Sequence, residues 1–263
     1  MSDVALQVKP LGVGQGFEVS GRGELHLSVL IEAMRREGYE MECTRPRVIF
    51  RDGPNGEKLE PWEELTIDVD EAYIGPVMEK LGQRKAIVQT MDTENGMARI
   101  VYHIPTRGLL GYRSEFMTDT KGMGVMNYIF LGYKPFAGEI RSRLHGAMVS
   151  MVNCDTVPYA LFNLQERGKL FLGPGVKIYA GEIIGDHCRE NDLMVNPGKA
   201  KKLTNVRAAG SDENIILTPP LKMSLEDCIA YINDDELVEI TPKSIRLRKA
   251  TLKKWGWSTA IEE

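Results

Sequence analysis

The spacing of apolar and polar positions changes several times along the chain, and each change marks an element. Leu27, Leu30, Ile31 and Met34 recur at i, i+3, i+4 and i+7, the spacing that lines one face of a helix. Arg35 and Arg36 fall in its last turn, where cations meet the negative end of the helix dipole, and Gly38 suits the residue just beyond. Apolar runs at 4–8 and 17–20, joined by Gly12-Val13-Gly14-Gln15-Gly16, predict two strands before this helix. Residues 39–50 predict a third after it, with Pro46 at its edge or end.

Beyond a turn at 53–57 the pattern runs through a full cycle. Leu65, Ile67 and Val69 alternate with polar residues, as a half-buried strand requires. Ile74, Val77, Met78 and Leu81 return to helical spacing, with Pro76 near the helix start. Residues 86–91 and 97–104 read as a hairpin around Thr93-Glu94-Asn95-Gly96, because Asn-Gly favours the left-handed turn that matches strand twist. A helix over 109–120, ended by Lys121-Gly122, and a strand over 125–131 complete a βαββαβ unit. From about 138 glycines recur in turns between short β-type runs such as 176–184, the texture of a small barrel or sandwich. The polar stretch 187–214 is too long for an ordinary connection. Ser224 and Asp227 then fit a capping box, with the shorter Asp in the place of Glu. Leu225, Cys228, Ile229 and Ile232 form that helix's buried face, and residues 238–247 alternate as a strand. The predicted class is α+β. Two ferredoxin-like βαββαβ-type units, the first incomplete (1–52) and the second at 57–137, precede a β-rich domain at 138–263 with a long basic loop and one or two helices.

Composition narrows the function. With 43% apolar and 27% charged residues, the chain is no fibre, low-complexity scaffold or disordered tail. A net charge of −4 excludes a generally basic nucleic-acid binder but leaves room for a local basic patch. No run approaches the ~18 apolar residues of a membrane span, and the first residues lack a signal-peptide pattern. The four cysteines are scattered, with no C-x-x-C pair, so a cytosolic chain without a disulfide framework is expected.

Most candidate chemistry does not hold up. No G-x-x-x-x-G-K-[ST] run occurs, so nothing in the chain is built to cradle nucleotide phosphates. Asp186-His187-Cys188 has no ligand-spaced companions and reads as a strand end with one packed or exposed histidine rather than a hydrolase or metal site. His26, His103 and His145 read as structural or solvent-facing. Residues 121–128 imitate an RNA-recognition strand but lack its stacking aromatics, so Gly122 and Gly124 are expected to turn and Tyr128 to pack. The best feature is the acid-free stretch 196–210. Lys199, Lys201, Lys202 and Arg207 suit phosphates there, and Thr204 and Asn205 suit sugars and base edges. A second acid-free stretch, 243–254, adds Lys243, Arg246, Arg248 and Lys249 as weaker RNA contacts. The competing reading of that stretch is a charged strand edge that resists mispairing.

Several motifs resemble a known family. Ser20-Gly21-Arg22-Gly23-Glu24-Leu25-His26-Leu27 resembles the signature of domain III in translational GTPases such as elongation factor G. Phe136-Ala137-Gly138 and the βαββαβ unit before it look like their domain V. Residues 201–208, 217–220 and 234–242 resemble the C-terminal domain of the BipA/TypA family, whereas the related LepA family carries a different one. The resemblance implies a ribosome-associated factor linked to large-subunit assembly, to stress and cold adaptation and to the alarmone ppGpp. Its C-terminal loop would lie by 23S rRNA near the peptidyl-transferase centre and by A-site tRNA, with ribosomal proteins as further partners. It places GTP and Mg²⁺ on a GTPase domain that these 263 residues do not contain, together with a barrel domain and the opening strand and helix of domain III. No catalysis, cofactor, metal or membrane contact is therefore expected of this chain, which should be a cytoplasmic monomer. The alternatives are a protein-binding adaptor, using an apolar face of the helix at 25–37, or the C-terminal region of another translational GTPase such as LepA.

Overall fold

The computed structural model describes residues 5–14, 16–140, 143, 145–200 and 216–252. They fall into two compact units, one made of 1–45 with 143–263 and the other of 46–142. These borders differ from the expected 1–52, 57–137 and 138–263, and the reason lies in the first forty-five residues.

Strands β1 (Gln7–Gly12) and β2 (Gly16–Ser20) form a separate antiparallel hairpin. Helix α1 (Glu24–Arg36) follows on the predicted pattern, and Gly38 takes φ 95° just beyond it. Its predicted face is only half-buried. The expected strand over 39–50 contracts to β3 (Met41–Cys43), which bonds antiparallel to a strand near the chain's far end. Residues 24–43 thus contribute a helix and a strand to the core and sheet of the later unit.

The unit at 46–142 is the predicted one. After the short β4 (Arg51–Asp52) come β5 (Lys58–Asp70), α2 (Ile74–Gln83), β6 (Ile87–Glu94), β7 (Met97–Pro105), α3 (Thr106–Leu109), α4 (Tyr112–Asp119) and β8 (Val125–Pro135). The sheet runs β8-β5-β7-β6, antiparallel throughout, the order of a ferredoxin-like fold. Asn95 and Gly96 both take positive φ, 53° and 79°, so the Asn-Gly turn forms as the pair predicts. The helix expected over 109–120 breaks at Gly111, whose φ of 70° leaves the helical region. Leu65, Ile67 and Val69 are fully buried with Val77, Leu81, Ile100, Tyr112 and Phe116, each such side chain stabilising by roughly 1.5–3 kcal/mol. Tyr128 does not pack as expected. Among the described residues β8 pairs with β5 alone, and at that edge Tyr128 stays 52% exposed.

The other unit centres on one mixed sheet instead of a barrel or sandwich. Its elements are β9 (Ala147–Ser150), β10 (Cys154–Asp155), α5 (Pro158–Gln165), β11 (Gly168–Leu170), β12 (Lys177–Ile178), β13 (Glu182–His187), β14 (Leu193–Val195), α6 (Leu225–Tyr231), β15 (Glu236–Ile240) and β16 (Ile245–Lys249). The sheet order is β14-β9-β13-β16-β15-β3, with β11 also on β13. Ile31 of α1 and Leu225, Cys228 and Ile229 of α6 cover one face, against Val149, Val238, Ile240 and Leu247. Leu161 of α5 packs with Met148, Leu170 and Ile184 in a second cluster. The capping box forms fully: Ser224 Oγ accepts from Asp227 N at 3.1 Å, and Asp227 Oδ2 accepts from Ser224 N at 3.0 Å. The alternation over 238–247 is two strands, not one, turned by Thr241 to Ser244 through hydrogen bonds that the Thr241 hydroxyl makes with Ser244. No helix of the described residues is long and apolar enough to cross a membrane.

A charged cluster locks the sheet. Glu236, fully buried, accepts from Arg143 Nη2 at 2.9 Å and from Lys249 Nζ at 2.8 Å. Asp192 lies 2.6 Å from the same lysine, and Arg143 stacks on Tyr231 with 4.3 Å from its guanidinium carbon to the ring centroid. Glu236→Gln would strip the charge from the one fully buried carboxylate, among the described residues, that bonds both cations. We expect a loss of about 3 kcal/mol in urea unfolding of the chain, and an unchanged midpoint would refute the cluster's role.

Candidate nucleic-acid interface

The segment that carries the basic stretch is fixed to one helix where it leaves, at Pro197, and where it returns, at Ile216 and Thr218. On the outgoing side β14 runs parallel to β9, and Met151 N donates to Val195 O at 2.9 Å. The chain then turns, with Asn196 Oδ1 accepting from Gly198 N at 3.1 Å. Pro197 is buried and its carbonyl accepts from Val157 N at 3.0 Å, at the N-cap of α5. On the returning side Gln165, the last residue of α5, holds the chain three times. Its Oε1 accepts from Thr218 N at 3.0 Å and from the Thr218 hydroxyl at 2.8 Å, and its Nε2 donates to Ile216 O at 3.3 Å. Eight helical residues at 1.5 Å each set the two anchor points about 12 Å apart along the axis. The sequence reading missed α5, although Pro158 at its first turn is the ordinary signal of a helix start.

Lys199 stands exposed at the outgoing root. Lys201, Lys202, Thr204, Asn205 and Arg207 lie outside the described residues. The second basic group separates on inspection. Lys243 is exposed in the turn between β15 and β16. Arg246 lies 3.5 Å from Glu182 and 5.8 Å from the centroid of the Tyr179 ring. Arg248 pairs with Glu42 and donates to Lys249 O at 3.1 Å, which leaves its side chain 14% exposed. Lys249 is a correction. Its ammonium is 4% exposed, with Asp192, Asp235 and Glu236 all within 3.1 Å, so it is taken up inside the fold and has no face to offer RNA. The register shows why: Ile245, Leu247 and Lys249 share the inward side of β16, and Arg246 and Arg248 the outward side.

Burial holds the Glu182 carboxyl up at about 7, against pulls downward from the Tyr179 backbone N–H and from Arg246. His187 is buried and its Nδ1 lies 2.6 Å from Asn191 O, while Asp186 accepts from the Tyr231 hydroxyl at 3.1 Å. Those residues are held structurally, and among the described residues no group of three His, Cys, Asp or Glu is placed to hold a metal.

Residues 145–254 match the family described as the TypA/BipA C-terminal domain, and residues 57–144 match the elongation factor G C-terminus. Residues 145–254 are thus a domain of the TypA/BipA C-terminal type. It is 53% identical over 252 residues to the large ribosomal subunit assembly factor BipA of Salmonella typhimurium, an alignment covering 95% of this chain and 41% of that protein. The protein of the same name in Haemophilus influenzae is 52% identical with the same coverage. That of Buchnera aphidicola is 50% identical over 96% of this chain and 42% of its own length. The chain thus spans about two fifths of the length of the curated relatives it matches. Both family matches carry C-terminal descriptions, in agreement with the domain V-like unit and the tail motifs.

Two predictions follow from this geometry. A Cβ on Gly198 would sit 2.6 Å from Cys154 Cβ and 2.7 Å from its sulfur, whereas one on Gly173 meets nothing within 4 Å. Gly198→Ala should therefore cost about 1–3 kcal/mol in denaturant unfolding and Gly173→Ala much less; equal effects would remove the close packing of this root. For Glu182, a folded value above the unfolded one means that the folded state keeps a proton the unfolded state has released. Its contribution is present below about 4.5 and is lost as pH rises towards about 7. Stability should fall by on the order of 3 kcal/mol across that window, and Glu182→Gln should flatten this part of the profile.

Proposed function

We propose that this chain is the ribosome-facing part of a BipA-like translational GTPase, working in the cytoplasm without catalysis of its own. The observation that supports the reading is the double anchoring, at the two ends of α5, of the segment 197–218 that carries the acid-free stretch. A cation-rich segment tied at both ends to a packed sheet presents its charges from a fixed place, which suits a target of dense phosphate such as rRNA. The relatives' printed name, large ribosomal subunit assembly factor, supports the ribosome as that target. In this reading Lys199, Lys201, Lys202 and Arg207 neutralise phosphates, and Thr204 and Asn205 meet sugars or base edges, at the factor site and the acceptor end of A-site tRNA. Lys243 and Arg246 are secondary contacts. GTP and Mg²⁺ belong to the part of the relatives that this chain does not span, and large-subunit assembly under stress or cold is the process it would serve.

A second reading has one observation behind it. Leu25 and Val29 of α1 are 55% and 60% exposed, as a protein-binding adaptor would require. The test separates the two. Changing Lys199, Lys201, Lys202 and Arg207 together to alanine should release the chain from ribosomes in co-sedimentation and flatten the salt dependence by roughly 0.7–0.9 log units per lost phosphate contact. Unchanged co-sedimentation would end the loop assignment, and loss only on Leu25→Ser with Val29→Ser would favour the adaptor.

A further inference from the structure

We propose that the outward face of α5 is a stacking platform for unpaired bases of single-stranded RNA. The proposal rests on the RNA reading above and names the kind of RNA that the site takes. Ala160 and Leu161 are the buried positions of this helix, and Leu164 packs beside Leu161. Tyr159, Phe162 and Asn163 lie on the other side, at i, i+3 and i+4, so the two rings are surface neighbours. They are 36% and 38% exposed. The Asn163 side-chain amide donates to Tyr159 O at 2.8 Å, which fixes it beside the rings.

Charge decides between RNA and an apolar partner. Lys199 and Lys177 are exposed close to the N-terminal end of α5. Lys199 follows the Pro197–Gly198 turn bonded to Val157, and Lys177 pairs across the β10–β12 ribbon with Asp155. A single strand with two bases on the rings would carry its phosphates past these amines. The acids here, Asp155 and Glu166, stand at the two ends of the helix and leave its middle to the rings. The helix itself exposes no Leu, Ile or Val, but Val176 beside its start and Ile216 beside its end stand 38% and 76% exposed, so the balance towards RNA rests on the lysines. Every base has a π-face, so such a platform binds unpaired RNA with little regard to sequence, whereas a duplex keeps its base faces stacked inside.

The test is fluorescence anisotropy of the chain with a labelled, unstructured RNA of roughly 12 nucleotides and with the same sequence as a duplex. Replacing Tyr159→Leu and Phe162→Leu together keeps the apolar bulk and removes the rings. Single-strand affinity should fall about tenfold or more, while duplex affinity and the salt slope stay put. Exchanging the two rings, Tyr159→Phe with Phe162→Tyr, should keep parental affinity and so guard against a folding artefact. Parental binding by the leucine variant, or an equal loss on both RNAs, overturns the platform. So does a change confined to self-association in sedimentation velocity, which would make this face a contact between copies. The alanine variant of the four loop cations reports the parent reading separately. Loss there with none in the leucine variant sinks the platform alone. Loss in the leucine variant with none there sinks the loop assignment and leaves the platform standing.

Discussion

One buried carboxylate holds the larger unit together. Glu236 opens β15 and touches a guanidinium from the segment before β9 and an ammonium from the end of β16. Removing either cation would leave a charge in a dry setting, so the three positions depend on one another. Asp192 joins the same lysine and also accepts from Ala147 N at 2.8 Å, which ties the approach to β14 into the cluster. The basic stretch leaves from β14. Its starting point is therefore set by ionic contacts around the sheet, and the chain's return at Ile216 and Thr218 by a glutamine on a helix packed against the core.

Segregation of charge follows from strand geometry. In β16 every second residue turns inward, so one run of basic residues divides into two populations. Arg246 and Arg248 lie outward beside Glu182 and Glu42, and Lys249 is drawn in. A stretch without acids in the sequence is thus neutralised by acids from other strands. Of the second basic group, Lys243 keeps its exposure, in the turn between β15 and β16.

Legibility in the sequence tracked how local the determining forces were. The unit at 46–142 was readable because its helices, its Asn-Gly turn and the alternation of Leu65, Ile67 and Val69 are all specified by near neighbours. The capping box at Ser224 was readable for the same reason. The pairing of the strand at 41–43 was not readable, because its partner, β15, lies almost two hundred residues away and no local pattern records it. Helix α5 was hidden by glycines on its C-terminal side that suggested only turns. Within the candidate interface, composition pointed to the acid-free stretch, but Gln165 and Pro197, which anchor it, carry no charge and gave no signal. Lys249 was within reach, since Ile245 and Leu247 share its parity along the strand.

The sheet pairing of Met41–Cys43 with Val238–Ile240 also bears on the order in which the polypeptide acquires structure. Residues 46–142 interrupt the other unit, yet all their own strand partners lie within that interval. Their loop closures are short, so this segment can condense while the rest is still being synthesised. The surrounding unit has to wait for its last hairpin, because β15 and β16 bring both the central ion cluster and the partner for β3. Until then α1 lacks α6 and the sheet beneath it, and its apolar side stays open to chaperones or to misassembly.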